Sequence, residues 1–301
     1  MKNCLIVINS LSSRSHQILK ELKLQIQLYP ETNFTILLTK FAGDAFRFSY
    51  DYTLQGIDSI LSCGGDGTLN ELVNGAFNAK ADNGISFAHY SCGSANDFAR
   101  TIGKKSLSDL LEMLYKKQYT LIDRALILKD GRIRRIVNES TCGMGALVCR
   151  DVELRRKTLN PNLNYLLSIF NRLIRFRKPL VRITLDDKII ETKVLLLIIS
   201  KGNFVGNGLG LTPQVTLDDG YFGVTILTGA TVWQMIRFRS KLTRKEVIDR
   251  PEIEYLKSTG VMVEVLNGRL PVETDGEFFD MLTVGEHIEY GVEMKSFKLC
   301  Y

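Results

Sequence analysis

Short apolar runs alternate with helix-spaced stretches along the first 122 residues. Strands are predicted near Cys4–Ile8, Phe34–Leu38, Ser59–Cys63 and Ile85–His89, and helices near His16–Leu28, Asp44–Tyr50, Leu69–Phe77 and Leu107–Lys117. Strand-length apolar runs separated by amphipathic helices mark βαβ units, hence an α/β domain with a mostly parallel sheet covered on both faces. After Asp123 the rhythm changes to alternating, β-branched segments joined by tight turns. Lys129-Asp130-Gly131 and Asp186-Asp187-Lys188 sit between strand-like runs, and Leu266-Asn267-Gly268 carries an Asn-Gly hairpin signal. The second half therefore reads as an antiparallel β-rich domain, interrupted by a basic segment and by a helical stretch from Trp233 to Lys245.

Two glycine-rich turns follow strand-like runs in the first half. In Ser62-Cys63-Gly64-Gly65-Asp66-Gly67-Thr68-Leu69-Asn70-Glu71, three glycines let the backbone approach a bulky anion. Main-chain N–H groups at such a turn, and at the helix start behind it, can cradle phosphates, because a helix N-terminus carries about half a positive charge. Asp66 would repel a phosphate unless a cation lies between, which points to magnesium beside a nucleotide. The plainer alternative is an ordinary strand-to-helix turn with Asp66 as its cap. The second turn, Cys92-Gly93-Ser94-Ala95-Asn96-Asp97-Phe98-Ala99-Arg100, also follows an apolar run. Turns at successive strand ends meet at one edge of a parallel sheet, where open α/β folds bind ligands. Near the C-terminus, Glu273, Asp275 and Glu277 stand at alternate positions; in an extended strand they would share one face, and a carboxylate in a cleft is a natural base for a hydroxyl.

Composition bounds the class. The 301 residues, 45% hydrophobic and 24% charged, suit two domains better than one. No apolar run approaches the roughly 18 residues of a spanning helix, and no signal peptide is read at the N-terminus, so a cytoplasmic protein is expected. Six scattered cysteines (Cys4, Cys63, Cys92, Cys142, Cys149, Cys300), no CxxC pair and three histidines indicate neither a zinc site nor a disulfide framework.

GGDGTLNE at 64–71, GSANDFAR at 93–100, LDDGYF at 217–222 and TDGE at 274–277, in this order, resemble the soluble bacterial diacylglycerol kinase family of lipid kinases. Sphingosine and ceramide kinases are relatives of that family, NAD kinase and phosphofructokinase more distant ones. The resemblance implies an ATP-dependent kinase acting on a hydroxyl of a diacylglycerol-like lipid. It implies an N-terminal nucleotide-binding domain, 1–122 completed by 283–301, a lipid-substrate domain, 123–282, and an active site in the cleft between them. Carried over residue by residue, main-chain groups from Gly64 to Glu71 (Gly64, Gly65, Asp66, Gly67, Thr68, Asn70, Glu71) hold phosphates. Asp66 and Asp97 hold a catalytic Mg2+ through water, although Asp97 also reads as a helix cap. Ser94 and Asn96 give further phosphate or ribose contacts, and Thr39 lies near the base and sugar. Where the family has an Asn-Pro-x-x-Gly turn, this chain has Asn9-Ser10-Leu11-Ser12-Ser13; Pro and Gly are missing, and Ser10, Ser12 and Ser13 offer hydroxyls instead. Asp219, with the carbonyls of Thr216 and Tyr221, matches a second, structural Mg2+ site. Asp275 or Glu277 deprotonates the lipid hydroxyl; the sequence leaves both open. A sphingoid or ceramide kinase is the nearest alternative. Asn138-Glu139 is similar to an NAD kinase pair, and the altered Asn9–Ser13 turn keeps open a nucleotide- or lipid-binding regulator without turnover.

The formal charge of +6 is concentrated. Between Arg150 and Leu180 eight basic residues face only Asp151 and Glu153, so the rest of the chain is neutral on balance. Within this segment Leu163, Leu166, Leu167, Phe170, Leu173 and Ile174 form an apolar helical stripe. Arg155, Arg156 and Lys157 precede it and Arg175, Arg177 and Lys178 follow, with Arg237, Arg239, Lys241, Arg244 and Lys245 extending the patch. A stripe of this kind more often packs on its own domain, while the flanking charge suits reversible docking on an anionic membrane. The expected partners are therefore a lipid substrate and an anionic membrane surface touched peripherally, and not a nucleic acid; edge strands of a split sheet also leave a homodimer open.

Overall fold

The computed structural model describes residues 3–79, 84–155, 168–173, 175–212 and 215–301. It divides into two compact units, Met1–Arg124 with Glu293–Tyr301, and Ala125–Val292.

The first unit is built on parallel strands β1 (Asn3–Asn9), β2 (Asn33–Thr39), β3 (Ser59–Gly64) and β4 (Ser86–Ser91), in the order β2-β1-β3-β4. The end of the last strand, β16 (His287–Cys300), adds Lys298–Cys300 in parallel beside Ser86–Ala88 of β4. Strand alternation sends side chains to both faces. Cys4, Ile6, Ile8, Leu61, Cys63 and Ala88 pack with Ile18 and Leu22 of α1 (Ser15–Gln25) and with Leu107, Leu110, Leu111 and Leu114 of α5 (Leu107–Tyr115). On the other face Phe87 stacks on Phe77 of α3 (Asp66–Asn78), with Phe297 against both rings. Helix α2 (Asp44–Leu54) packs beside α3. The pattern placed the start of α3 at Leu69. It begins three residues earlier, because Gly65 is extended and Asp66 already occupies the first turn, where the helix dipole favours an acid. A short helix, α4 (Asp97–Ile102), follows the second glycine turn.

The second unit is a sandwich of two antiparallel sheets. One pairs β13 (Gly260–Asn267) with the first half of β16 and with β8 (Leu180–Leu185), which pairs β9 (Lys188–Lys193). The other has the order β12-β11-β10-β7-β14-β15, namely Ile253–Ser258, Phe222–Leu227, Leu196–Ser200, Glu139–Gly143, Leu270–Thr274 and Glu277–Leu282. Val181, Ile183, Val261, Val263 and Ile288 meet Leu197, Ile199, Phe222, Val224 and Val272 in one apolar core. The expected tight turns form at Asp130-Gly131, between β5 (Thr120–Lys129) and β6 (Arg132–Ile136), and at Asp186-Asp187 between β8 and β9. Asn267-Gly268 does not make a hairpin. β13 and β14 belong to opposite sheets, and the residues after a register break at Val265/Asn267 carry the chain across the sandwich. The return to the first unit starts at Glu293 rather than 283, since His287–Gly291 still pair with β13.

Helix α6 (Met144–Arg155) was not legible in the pattern; its Met144 and Val148 pack with Leu195. Onto them fold Ile169, Leu173 and Phe176; of the predicted stripe, Leu173 is packed here while Phe170 is 51% exposed. Arg156, Lys157, Leu163, Leu166, Leu167 and Ile174 lie outside the described residues, as does the side chain of Arg155. The helical stretch predicted from Trp233 is α7 (Val232–Thr243), opened by a Thr231–Gln234 capping box. None of the six cysteines is in a disulfide. Among the described residues no helix is long and apolar enough to cross a membrane.

Candidate active site

In the first unit, chain segments at the ends of β1 to β4 converge. Asn9 Nδ2 donates to Thr68 Oγ1 at 3.2 Å, and Asn9 Oδ1 accepts the Leu11 N–H at 3.0 Å. Ser10 donates its N–H to Thr39 Oγ1 at 3.4 Å, and Ser12 Oγ donates to the Cys92 carbonyl at 2.9 Å. Hydrogen bonds thus order a turn that lacks the expected proline and glycine. The Gly64 carbonyl accepts the Cys92 N–H at 2.8 Å, which ties the second glycine turn to the first. A Cβ on Gly93 would lie 2.5 Å from Gly65 Cα, and one on Gly64 2.5 Å from Thr68 Oγ1. The two turns therefore meet main chain to main chain, a packing open only to residues without a side chain.

The acids join the same edge. Asp66 Oδ2 accepts the Asp97 N–H at 2.7 Å, and the buried Asp97 carboxylate lies 3.7 Å from Arg100 Nε. Gly65, the N-cap of α3, brings no side chain to the first-turn N–H groups, one of which belongs to Gly67. Two carboxylates beside such a turn offer the hard oxygens that suit a water-bridged magnesium ion. Other expected contacts have different work. Glu71 accepts the N–H groups of Gly43 and Ala45, each at 3.1 Å, and so caps the start of α2. Asn70 is buried within α3 and accepts from Asn74 Nδ2 at 3.2 Å. Asn96, in the left-handed region at φ 54°, clamps Gly93 with both ends of its amide, at 3.0 and 2.7 Å. Ser13 and Ser94 are exposed.

The second unit holds the remaining candidates around one hairpin. Asp275 at φ 49° and Gly276 at φ 84° form a two-residue turn between β14 and β15. The acids at 273, 275 and 277 therefore do not share one strand face. Asp275 turns its carboxylate onto the start of β7, accepting the N–H groups of Val137 at 2.8 Å, Asn138 at 2.7 Å and Glu139 at 3.0 Å. Burial pushes its carboxyl up and the three amides pull it back, with a net rise. Glu277 is half-exposed and paired with Arg134. Glu273 is fully buried; Oε1 accepts from Thr141 N at 2.8 Å and Oγ1 at 2.6 Å, and Oε2 from Gly276 N at 2.7 Å. Burial raises its carboxyl, against hydrogen bonds that include one with the Glu139 side chain.

The acidic turn at 217–221 is already supplied with positive charge. Lys201, 1% exposed, donates from Nζ to Asp219 Oδ1 at 3.2 Å and to the Tyr221 carbonyl at 2.9 Å. Asp219 Oδ2 faces Lys257 Nζ at 3.3 Å, and Thr216 hydrogen-bonds the same carboxylate through its side chain. Magnesium sharing these two oxygens would sit about 2.1 Å from each, hence within about 5 Å of the Lys201 ammonium. At an effective dielectric near 20 that repulsion is on the order of 6 kcal/mol, so this arrangement does not fit a divalent ion. The sequence reading missed Lys201: a lysine closing the apolar run Leu195–Ser200 reads as an exposed strand end. It also missed Arg14, whose Nη2 donates to the Tyr90 hydroxyl at 2.6 Å.

Comparison with known proteins agrees with this layout. Residues 3–127 match the diacylglycerol kinase catalytic domain, and residues 138–291 the YegS C-terminal NAD kinase beta sandwich-like domain. A diacylglycerol kinase of Bacillus subtilis (strain 168) is 30% identical over 288 residues, 94% of this chain and 92% of that protein. One from Staphylococcus saprophyticus is 25% identical over 83% of this chain and 82% of its own. Among solved structures, a diacylglycerol kinase from Bacillus anthracis str. Sterne superposes with a TM-score of 0.71 at 21% identity, covering 100% of this chain and 96% of its own. Yeast NADH kinase, solved with NADH, gives 0.55 at 10%, covering 99% and 82%. The last two show the fold alone. The chain belongs to the diacylglycerol kinase family and is a lipid kinase.

A pH dependence follows from Glu273. Its folded value lies above its ordinary 4.5, so the protonated carboxyl stabilises the fold fully below that pH and the contribution is lost as pH rises through the raised value. In Glu139→Gln a neutral amide donates to Glu273 without a shared proton. The melting temperature of this variant should fall less than wild type as pH rises above 4.5. Equal slopes in circular-dichroism melts would show that the two acids do not interact.

Proposed function

We propose that this chain transfers the terminal phosphoryl group of ATP to a hydroxyl of a diacylglycerol-like lipid at an anionic membrane surface. The observation that carries the reading is the main-chain contact of Gly65 with Gly93, beside Asp66 and Asp97. Phosphoryl transfer asks the protein mainly for positioning and charge neutralisation. The first-turn N–H groups of α3 receive phosphate oxygens, while Asn9, Ser12, Thr39 and Thr68 line the approach. Asp66 and Asp97 would hold a magnesium ion, which when bound would neutralise phosphate charge. As the lipid oxygen bonds to phosphorus and the bond to ADP breaks, the hydroxyl proton passes to Asp275. Burial raises the Asp275 carboxyl above its ordinary value, and three amides fix its carboxylate. Glu277 keeps Arg134 as its counter-ion.

Asp275→Asn should lower kcat on dioleoylglycerol in detergent micelles by about a hundredfold or more, with ATP affinity retained. Glu277→Gln should stay within a few-fold. The Asn amide would set a donor against the Val137 N–H, so a folding check belongs with the kinetics. Equal effects in the two variants would reject Asp275 as the base. Turnover on ceramide, sphingosine or NAD in place of dioleoylglycerol would reject the acceptor.

The membrane reading has its own handle on α7. Trp233, the chain's single tryptophan, is 72% exposed, and the exposed Arg237 and Lys241 follow it at helical spacing, with Arg239 and Arg244 nearby. An interfacial tryptophan beside bases worth about 1 kcal/mol each suits reversible docking. Phosphatidylglycerol vesicles at low salt should shift Trp233 emission to the blue, and high salt should reverse it. No shift, or the same shift on neutral phosphatidylcholine, would contradict docking through this helix.

A further inference from the structure

We propose that the acidic turn at 217–221 is closed by the chain's own ammonium group, Lys201, and takes no divalent ion. The inference is independent of the acceptor and the base; it concerns what holds the second unit together. Where the resemblance to lipid kinases implies a second magnesium on Asp219 and the carbonyls of Thr216 and Tyr221, Lys201 Nζ donates to two of those three residues, at 3.2 Å and 2.9 Å. This is no surface lysine that happens to lean on an acid. Its main-chain N–H is fixed on the Asn138 carbonyl at 3.0 Å, the Gly202 N–H donates to the same oxygen at 3.0 Å, and the side chain is almost wholly buried. Asp219 Oδ1 also accepts the Tyr221 N–H at 3.1 Å, and Lys257 faces Oδ2. The Asp219 carboxylate thus meets two ammonium groups, so its charge is already compensated before any metal arrives.

An ammonium donates to oxygens at hydrogen-bond distance and joins loop to strand as a hydrated ion would, yet it cannot be chelated or diluted away. The stability of the second unit should therefore be indifferent to divalent ions, while the reaction itself still uses magnesium with the nucleotide. The test is thermal melting of the full chain without nucleotide, in EDTA and in millimolar magnesium or calcium. Wild type and Asp66→Ala, the latter removing the acid of the nucleotide site, should melt at the same temperature in all three media. Asp219→Ala and Lys201→Met should each lower the melting temperature by a few degrees in every medium. The double variant should lose scarcely more than either single one, because the two side chains share one interaction. A magnesium-dependent rise that persists in Asp66→Ala and vanishes in Asp219→Ala would overturn the proposal. So would fully additive losses, or an Asp219→Ala variant as stable as wild type. Should Lys201→Met fail to fold, the wild-type, Asp66→Ala and Asp219→Ala melts still decide it.

Discussion

Gly65 and Gly93 meet with no side chain between them, and much of the first unit is arranged to make that contact. β3 and β4 run parallel and in register through Gly64 and Ser91, so the two turns leave neighbouring strands at the same level. The Gly64 carbonyl then takes the Cys92 N–H, the Asn96 amide clamps Gly93, and Asp66 takes the Asp97 N–H. These bonds hold bare backbone at the edge of the sheet, where an anion can approach it closely. Glu71 serves the same end indirectly: by capping α2 it fixes α2 against α3, the helix whose first turn follows Gly65.

The second unit handles its charge differently. Three of its acids are matched one by one: Asp275 to three amides, Glu273 to Thr141 and Gly276, Asp219 to Lys201 and Lys257. Burial of carboxylates is costly unless every oxygen finds a donor, and here the donors are mostly main-chain groups of a rigid sandwich. The segment Val137–Glu139 links two of these clusters. Its N–H groups hold Asp275, and the Asn138 carbonyl holds the main chain of Lys201.

The βαβ half was legible because its strands are short apolar runs and its helices amphipathic; each element's identity is written in its own residues. The first glycine turn stood out through three glycines and an acid within Gly64–Gly67, a run that by itself also suits an ordinary strand-to-helix turn. What escaped depended on partners far along the chain. Asn267-Gly268 carries the local chemistry of a hairpin, yet β13 and β14 bury opposite faces of one core, so tertiary packing overrode the turn signal. Glu71 stands inside the phosphate motif but finds its donors at Gly43 and Ala45. Lys201 is silent in sequence because nothing near it announces an acid; Asp219 comes from a later turn. The run Glu273 to Glu277 alternates like a strand, but Asp275-Gly276 takes two positive φ angles in succession and reverses the chain there.

The central claim is that backbone laid bare by Gly65 and Gly93 binds the nucleotide phosphates. Gly93→Ala adds one methyl group where a Cβ would stand 2.5 Å from Gly65 Cα. Titration of ATP onto this variant, in protein whose circular dichroism matches wild type, should show affinity weakened about tenfold or more, a loss of at least about 1.4 kcal/mol. A folded Gly93→Ala protein that binds ATP as tightly as wild type would contradict the account.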